Sequence, residues 1–169
     1  MVYSKLDKAS GLLARAIALT GGAVLLVLVV MTCLSITGRS LTFVGLNQVH
    51  GDFEWMEFGV GFAIFCFLPL AQYSNSHARV DLLAGKFPPR FNQFVDFIAD
   101  MFVFAVASVI AWRLTLGMLD KKSYGETSFI LQFPIWITYA LGLVGMIAFV
   151  LISMFCILRS WRKLTGNSQ

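Results

Sequence analysis

Four apolar runs constrain this chain more than any other feature of its sequence. They cover residues 17–37, 55–73, 94–116 and 134–158, and each is close to the roughly 20 residues that a helix needs to cross a bilayer. The chain is 58% hydrophobic, whereas a soluble domain is about 45–50% apolar. The sequence therefore predicts an all-α integral membrane protein, with residues 1–169 forming a single membrane domain of four transmembrane helices.

The first 20 residues are amphipathic before they become hydrophobic. Apolar residues recur on one helical face of this stretch at Val2, Leu6, Ala9, Leu13 and Ala16. This pattern predicts an amphipathic interfacial N-terminal helix along the membrane surface, with a bend at Gly21-Gly22 before the first span. The alternative is the charged flank of a signal anchor. The apolar run continues to Ile36 without a small-residue cleavage site, so we expect the first span to be retained.

The distribution of Lys and Arg predicts the orientation of the chain. If the N-terminus is inside, the inside segments carry Lys5, Lys8, Arg15, Arg79, Lys86, Arg90, Arg159, Arg162 and Lys163. The outside segments carry only Arg39, Arg113, Lys121 and Lys122. Because cytoplasmic loops are enriched in positive charge, we expect both termini in the cytoplasm.

The ionisable residues lie mostly at the ends of the predicted spans. An autonomous ion-coupled transporter needs such groups near the membrane midplane, where both sides can reach them. Asp96 and Asp100, one turn apart in the third span, are the exceptions. We expect an anchoring or inter-subunit role for this pair, and an ion site is the alternative. Arg39 and Glu57 are expected close together at the outer boundary, where an exposed ion pair contributes at most about 1 kcal/mol and mainly sets orientation.

Several classes of function find little support in the residue pattern. The two histidines, His50 and His77, lie in loops, whereas a membrane b-type cytochrome usually has histidines inside its spans. The three cysteines are well separated and lack metal-ligand spacing. No nucleophile–base pair or phosphate-binding glycine loop is recognisable. We therefore expect neither an enzyme nor a cofactor-binding protein.

A set of residues at the span boundaries resembles a known family. The set comprises Arg39 after the first span, Glu57 before the second, the run His77-Ala78-Arg79-Val80-Asp81-Leu82-Leu83, Pro88 and Arg90, and Pro134-Ile135-Trp136 before the fourth. In these positions the chain resembles the small membrane subunit, of DctQ type, of tripartite ATP-independent periplasmic (TRAP) transporters, and more narrowly the small subunits of sialic acid systems. It departs from the common family pattern in one respect, because Glu54 and Glu57 are separated where many members have adjacent acidic residues.

The resemblance implies a non-catalytic subunit of a sodium-coupled transporter for organic acids. Its expected partners are a large transport subunit, which holds the substrate and sodium sites, and a periplasmic substrate-binding protein. Residues expected at the subunit interface or in structural contacts are Arg39, Glu54, Glu57, His77, Arg79, Asp81, Asp96, Asp100, Pro134 and Trp136. The outer loops, 40–53 and 119–133, are expected to help dock the binding protein through Lys121, Lys122 and Glu126.

An alternative function remains open on the sequence alone. The chain could be an autonomous small transporter that acts as a homo-oligomer, with Asp96 or Asp100 carrying the coupled proton. Transport by the isolated chain, abolished by Asp100→Asn, would support this alternative.

Overall fold

The computed structural model describes residues 2–74 and 89–164. Within those ranges the helices are α1 Val2–Ser40, α2 Asp52–Tyr73, α3 Pro89–Tyr124 and α4 Ile135–Leu164, with a 3-10 turn at Thr42–Val44. Each of the four α-helices contains a stretch long and apolar enough to cross a membrane. The prediction of an all-α protein with four spanning helices is confirmed.

Two of the helices are much longer than the predicted spans. α1 has 39 residues and is about 58 Å long at 1.5 Å per residue, nearly twice the hydrocarbon thickness of about 30 Å. α3 has 36 residues and continues through Asp120 to Tyr124, so the connection to α4 is shorter than the predicted loop, 119–133. Both helices therefore extend beyond the apolar core of a bilayer.

The predicted bend at Gly21-Gly22 does not divide the first helix into two elements. α1 runs without interruption from Val2 to Ser40, so the N-terminal residues do not form a separate interfacial helix. Gly21 has a different purpose, because a Cβ built on it would lie 2.7 Å from Cβ of Cys66 in α2. Glycine at this position lets two helix backbones approach closely, as small residues commonly do between membrane helices.

The four helices form a row rather than a closed bundle. α2 packs against α1 on one side and α4 on the other, and α3 packs chiefly against α4. The spatial order is thus α1, α2, α4, α3, which differs from the order along the chain. α4 is the most enclosed helix. In its most apolar stretch 44% of the residues are buried, against 6% in the corresponding stretch of α3.

A proline in α2 explains part of the close contact with α4. Pro69 has no N–H, so the carbonyl of Phe65, four residues earlier, lacks its usual helical donor. Gly145 of α4 lies against this carbonyl, because a Cβ at Gly145 would be 2.8 Å from the Phe65 oxygen. A Cβ at Gly142 would lie 3.1 Å from the Phe65 ring. Glycine at these two positions lets α4 approach α2 closely.

Candidate functional site

One end of the row, here called the loop end, contains the α1–α2 and α3–α4 connections. Its central polar residue is Glu54, in the first turn of α2, whose side chain is only 9% exposed. Its carboxylate accepts hydrogen bonds from Ser128 Oγ at 2.7 Å and from the backbone N–H groups of Ile130 at 2.7 Å and Leu131 at 2.9 Å. These four residues, the Glu54 cluster, fix the α3–α4 connection to the start of α2.

The local sequence prepares the α3–α4 connection for this contact. Gly125 has a φ of 62° and ends α3 with bonds typical of a Schellman motif, from its own N–H to Lys122 O and from the Glu126 N–H to Lys121 O. The Ser128 N–H then donates to Phe133 O at 2.8 Å, which turns the chain back towards α4. The tight turn presents two consecutive N–H groups to a single carboxylate.

Arg39 has a different partner from the one predicted. Its guanidinium lies 3.9 Å from the carboxylate of Asp52, and the ion pair is with this residue rather than with Glu57. Ser35 Oγ in α1 also donates to Asp52, at 2.6 Å. Because the Arg39 side chain is 57% exposed, we expect the ion pair to contribute at most about 1 kcal/mol, so the buried Ser35 makes the more specific link between α1 and α2.

A second polar cluster lies towards the opposite end of the row. The Asp100 carboxylate in α3 accepts a hydrogen bond from Gln72 Nε2 in α2 at 3.1 Å, and another from Ser160 Oγ in α4. The Gln72 side chain is only 2% exposed. We call these three residues the Asp100 cluster. It joins α2, α3 and α4, and it connects α2 to α3 although the two helices otherwise make little contact.

Between the two clusters, α2 and α3 flank an open groove whose floor is α4. The groove has a volume of about 620 Å³, and its walls are mainly apolar side chains, including Phe58, Phe62, Phe65, Leu114 and Tyr139. Phe58, Phe62 and Phe65 line one wall of the groove, and Phe65 also packs against α4 at its deep end.

The residues predicted to dock a binding protein form contacts within the loop end. Lys121 Nζ lies 2.5 Å from Glu126 Oε2, which links the last turn of α3 to the connection after it. The Lys122 ammonium lies 5.3 Å from the centre of the Trp136 ring, a cation–π contact that joins α3 to α4. Pro134 directly precedes α4 and pairs with Thr127 in an isolated bridge. The predicted docking residues therefore hold the surface of the loop end in place: Lys121, Lys122 and Glu126.

Exposed aromatic side chains also lie at the loop end. Phe129 is 94% exposed at the tip of the α3–α4 connection, and Phe43, Phe53 and Tyr124 are also largely exposed. No sequence pattern distinguishes them, because an isolated aromatic residue in a loop belongs to no motif. The fold shows that these aromatic residues lie at the same end of the protein, and the sequence alone does not.

The other residues predicted from the sequence lie in different surroundings. Glu57 is exposed and lines the mouth of the groove, and Asp96 is half-buried in α3, one turn before Asp100. His77, Arg79 and Asp81 lie outside the described residues. Sequence reasoning missed the partners Asp52, Gln72, Ser128 and Ser160. Among these four residues, only Gln72 could have been noticed in the sequence. An amide buried in an apolar membrane helix usually has a hydrogen-bond partner on another helix.

Comparison with known proteins gives one family. A family model described as "Tripartite ATP-independent periplasmic transporters, DctQ component" matches residues 28–166, which include the last third of α1 and all of the three helices after it. No curated protein and no solved structure matches the chain.

Proposed function

The chain belongs to the DctQ family of tripartite ATP-independent periplasmic transporters, and we propose that it enlarges the fixed membrane scaffold of a large transport subunit. The family is a transporter component family, so the chain is a multi-pass membrane subunit. Its task in the assembly, its partners and the transported substrate are the proposed elements.

The observation that carries the scaffold proposal is the exposure of α3. This helix ends the row, and large apolar side chains project from it at Ile98, Phe102, Val109 and Trp112, all of them exposed. A row of helices can be extended at its end by a further helix, whereas a closed bundle has no free end. The exposed side of α3 supports a contact with the large subunit over much of the membrane thickness.

Both polar clusters support a fixed rather than a moving subunit. The Glu54 cluster and the Asp100 cluster join α2 to its neighbours near both of its ends. A helix held at both ends cannot slide relative to its neighbours without breaking hydrogen bonds in a low-dielectric environment. We propose that transport movements, and the binding of sodium and substrate, belong to the large subunit.

The proposed transporter moves organic acids with sodium, and a sialic acid is the first substrate to test. This choice rests on the resemblance of the chain to the small subunits of sialic acid systems. A periplasmic substrate-binding protein would deliver the substrate, and this chain would hold no cofactor. The excess of Lys and Arg in the inside segments supports an inner-membrane orientation with both termini in the cytoplasm and the loop end in the periplasm.

The first test is co-purification from a mild detergent. The tagged full-length chain is expected to bring down a membrane protein with many more spans, in a constant ratio, and mass spectrometry identifies it. Vesicles that contain both subunits are expected to take up a sialic acid only with a sodium gradient and the binding protein. Recovery of the chain alone as a defined homo-oligomer, with uptake by that oligomer, would instead establish the autonomous transporter.

We also propose that the loop end docks the binding protein. Protein interfaces are often anchored by a few aromatic residues, and the exposed Phe129 is the most prominent one here. Lys121, Lys122 and Glu126 hold the connection that presents it. The docking surface would therefore be aromatic, with the charged residues setting its shape.

Phe129→Ser is expected to weaken docking of the binding protein by about tenfold, because truncating an interface aromatic residue commonly removes more than 1 kcal/mol. Uptake measured against binding-protein concentration reports the change. The matched control is Leu12→Ser, which alters another exposed apolar residue but lies in α1, far from the loop end. If uptake depends on binding-protein concentration in the same way in Phe129→Ser and in wild type, with both subunits recovered, Phe129 is not part of the docking surface.

A further inference from the structure

The groove between α2 and α3 has the depth of a single leaflet. On α2 it extends from Glu54, in the first turn, to Phe65, eleven residues deeper. Eleven residues of helix rise about 16 Å, close to half of a hydrocarbon core of about 30 Å. The groove therefore extends from the membrane boundary to near the midplane.

The deep end of the groove is closed. Phe65 packs there against Gly142 and Gly145 of α4, and the hydrogen bond from Gln72 to Asp100 joins α2 to α3 farther along. A transmembrane helix of a partner crosses both leaflets, so it would need an open groove along the whole of α2. An acyl chain of one lipid needs only the depth that is present.

The mouth of the groove carries an uncompensated carboxylate. Lys121 and Glu126 neutralise each other there, whereas Glu57 is exposed and makes no ion pair among the described residues. A carboxylate at the membrane boundary attracts a cationic group and repels an anionic lipid headgroup. The negative charge at the mouth thus complements a headgroup with an ammonium group, and it does not complement the anionic headgroup of phosphatidylglycerol.

We propose that this groove is a binding site for a phospholipid with an amine headgroup, such as phosphatidylethanolamine. One acyl chain lies along Phe58, Phe62 and Phe65, and the ammonium group lies near Glu57. Lipid tails offer other lipid tails an equally apolar environment, so the hydrophobic effect does not drive this binding. Selectivity comes from the fit of the acyl chain to the aromatic wall of the groove and from the negative charge of Glu57 at the mouth.

The test uses phosphatidylethanolamine with a photoactivatable group in its acyl chain. Vesicles of phosphatidylethanolamine and phosphatidylglycerol hold the full-length chain with the large subunit that co-purifies with it, and mass spectrometry maps the labelled peptides. Gly61→Leu fills the groove from within, because a Cβ at Gly61, a groove-lining residue, meets nothing within 4 Å. Gly22→Leu is the matched control, since Gly22 in α1 is equally open and distant from the groove.

The expected result is concentrated labelling of the groove in wild type and Gly22→Leu, and loss of that labelling to the level of other exposed faces in Gly61→Leu. Glu57→Gln is expected to remove the preference for the ethanolamine probe over the matching glycerol probe. Two results would overturn the proposal: even labelling of all apolar faces, or equal labelling of wild type by both probes.

Discussion

Replacing Glu54 by alanine is expected to lower the midpoint of thermal unfolding in detergent by about 5–10 °C, one of the largest effects for a single residue in this chain. The substitution removes the acceptor for Ser128 Oγ and for the N–H groups of Ile130 and Leu131. Hydrogen bonds to a charged acceptor are stronger than neutral ones, and donors left unpaired where water cannot reach them are destabilising. The α3–α4 connection would lose its fixed position over α2.

Glu57→Ala is the matched control for this prediction. Glu57 lies one turn after Glu54 on the same helix, carries the same side chain and is exposed. Its replacement is expected to leave the midpoint nearly unchanged, since surface substitutions usually have small effects. Limited proteolysis should cut the α3–α4 connection faster in Glu54→Ala and at the wild-type rate in Glu57→Ala. Equal midpoints and equal cleavage for the two variants would contradict the structural role of Glu54.

Asp100→Ala is expected to reduce the free energy of unfolding by about 1–3 kcal/mol. Interhelical hydrogen bonds in membranes average about 0.6 kcal/mol, with a maximum of about 1.7, and Asp100 accepts two of them. Asp100→Asn keeps an oxygen acceptor in nearly the same shape, so it should recover part of the lost stability. Reversible unfolding in mixed detergent measures both variants.

Transport separates a structural from a proton-carrying role for Asp100. If the cluster only positions α3, complexes with Asp100→Asn should transport at close to the wild-type rate, because the amide still accepts from Gln72 or Ser160. A proton carrier cannot be replaced by an amide, so complete loss of uptake with normal assembly would indicate that Asp100 carries a proton. The stability and transport measurements therefore answer different questions about one residue.

Hydropathy predicted the four helices, because apolar runs of about 20 residues have few stable alternatives in a bilayer. It did not predict their order in space. The insertion of α4 between α2 and α3 depends on which faces fit closely, such as Gly145 against the Phe65 carbonyl. A glycine in a sequence is equally compatible with a bend and with a close helix contact, and Gly21 makes such a contact with Cys66 of α2. Tertiary packing decided between the two.

The candidate site was predictable only in part. Glu54 was named through the family resemblance, and Asp100 because a carboxylate inside a span needs a partner. Their partners could not be identified, since Ser128 and Ser160 are ordinary residues made relevant only by proximity. The Arg39 partner was misassigned to Glu57 for the same reason. Asp52 lies at the start of α2, where only the path of the α1–α2 connection determines which carboxylate meets Arg39.

The polar contacts of α2 also have a consequence for the synthesis of the chain. Glu54 accepts from residues 74 to 77 positions later, so its partners do not yet exist when α2 first emerges from the ribosome. At about 5–20 residues per second, the ribosome needs about 4–15 s to add them. During this interval α2 can rely only on α1, with which it shares the Gly21 contact. The α1–α2 hairpin is therefore the first assembly unit, and α4 completes the protein by entering between two helices that are already in the membrane.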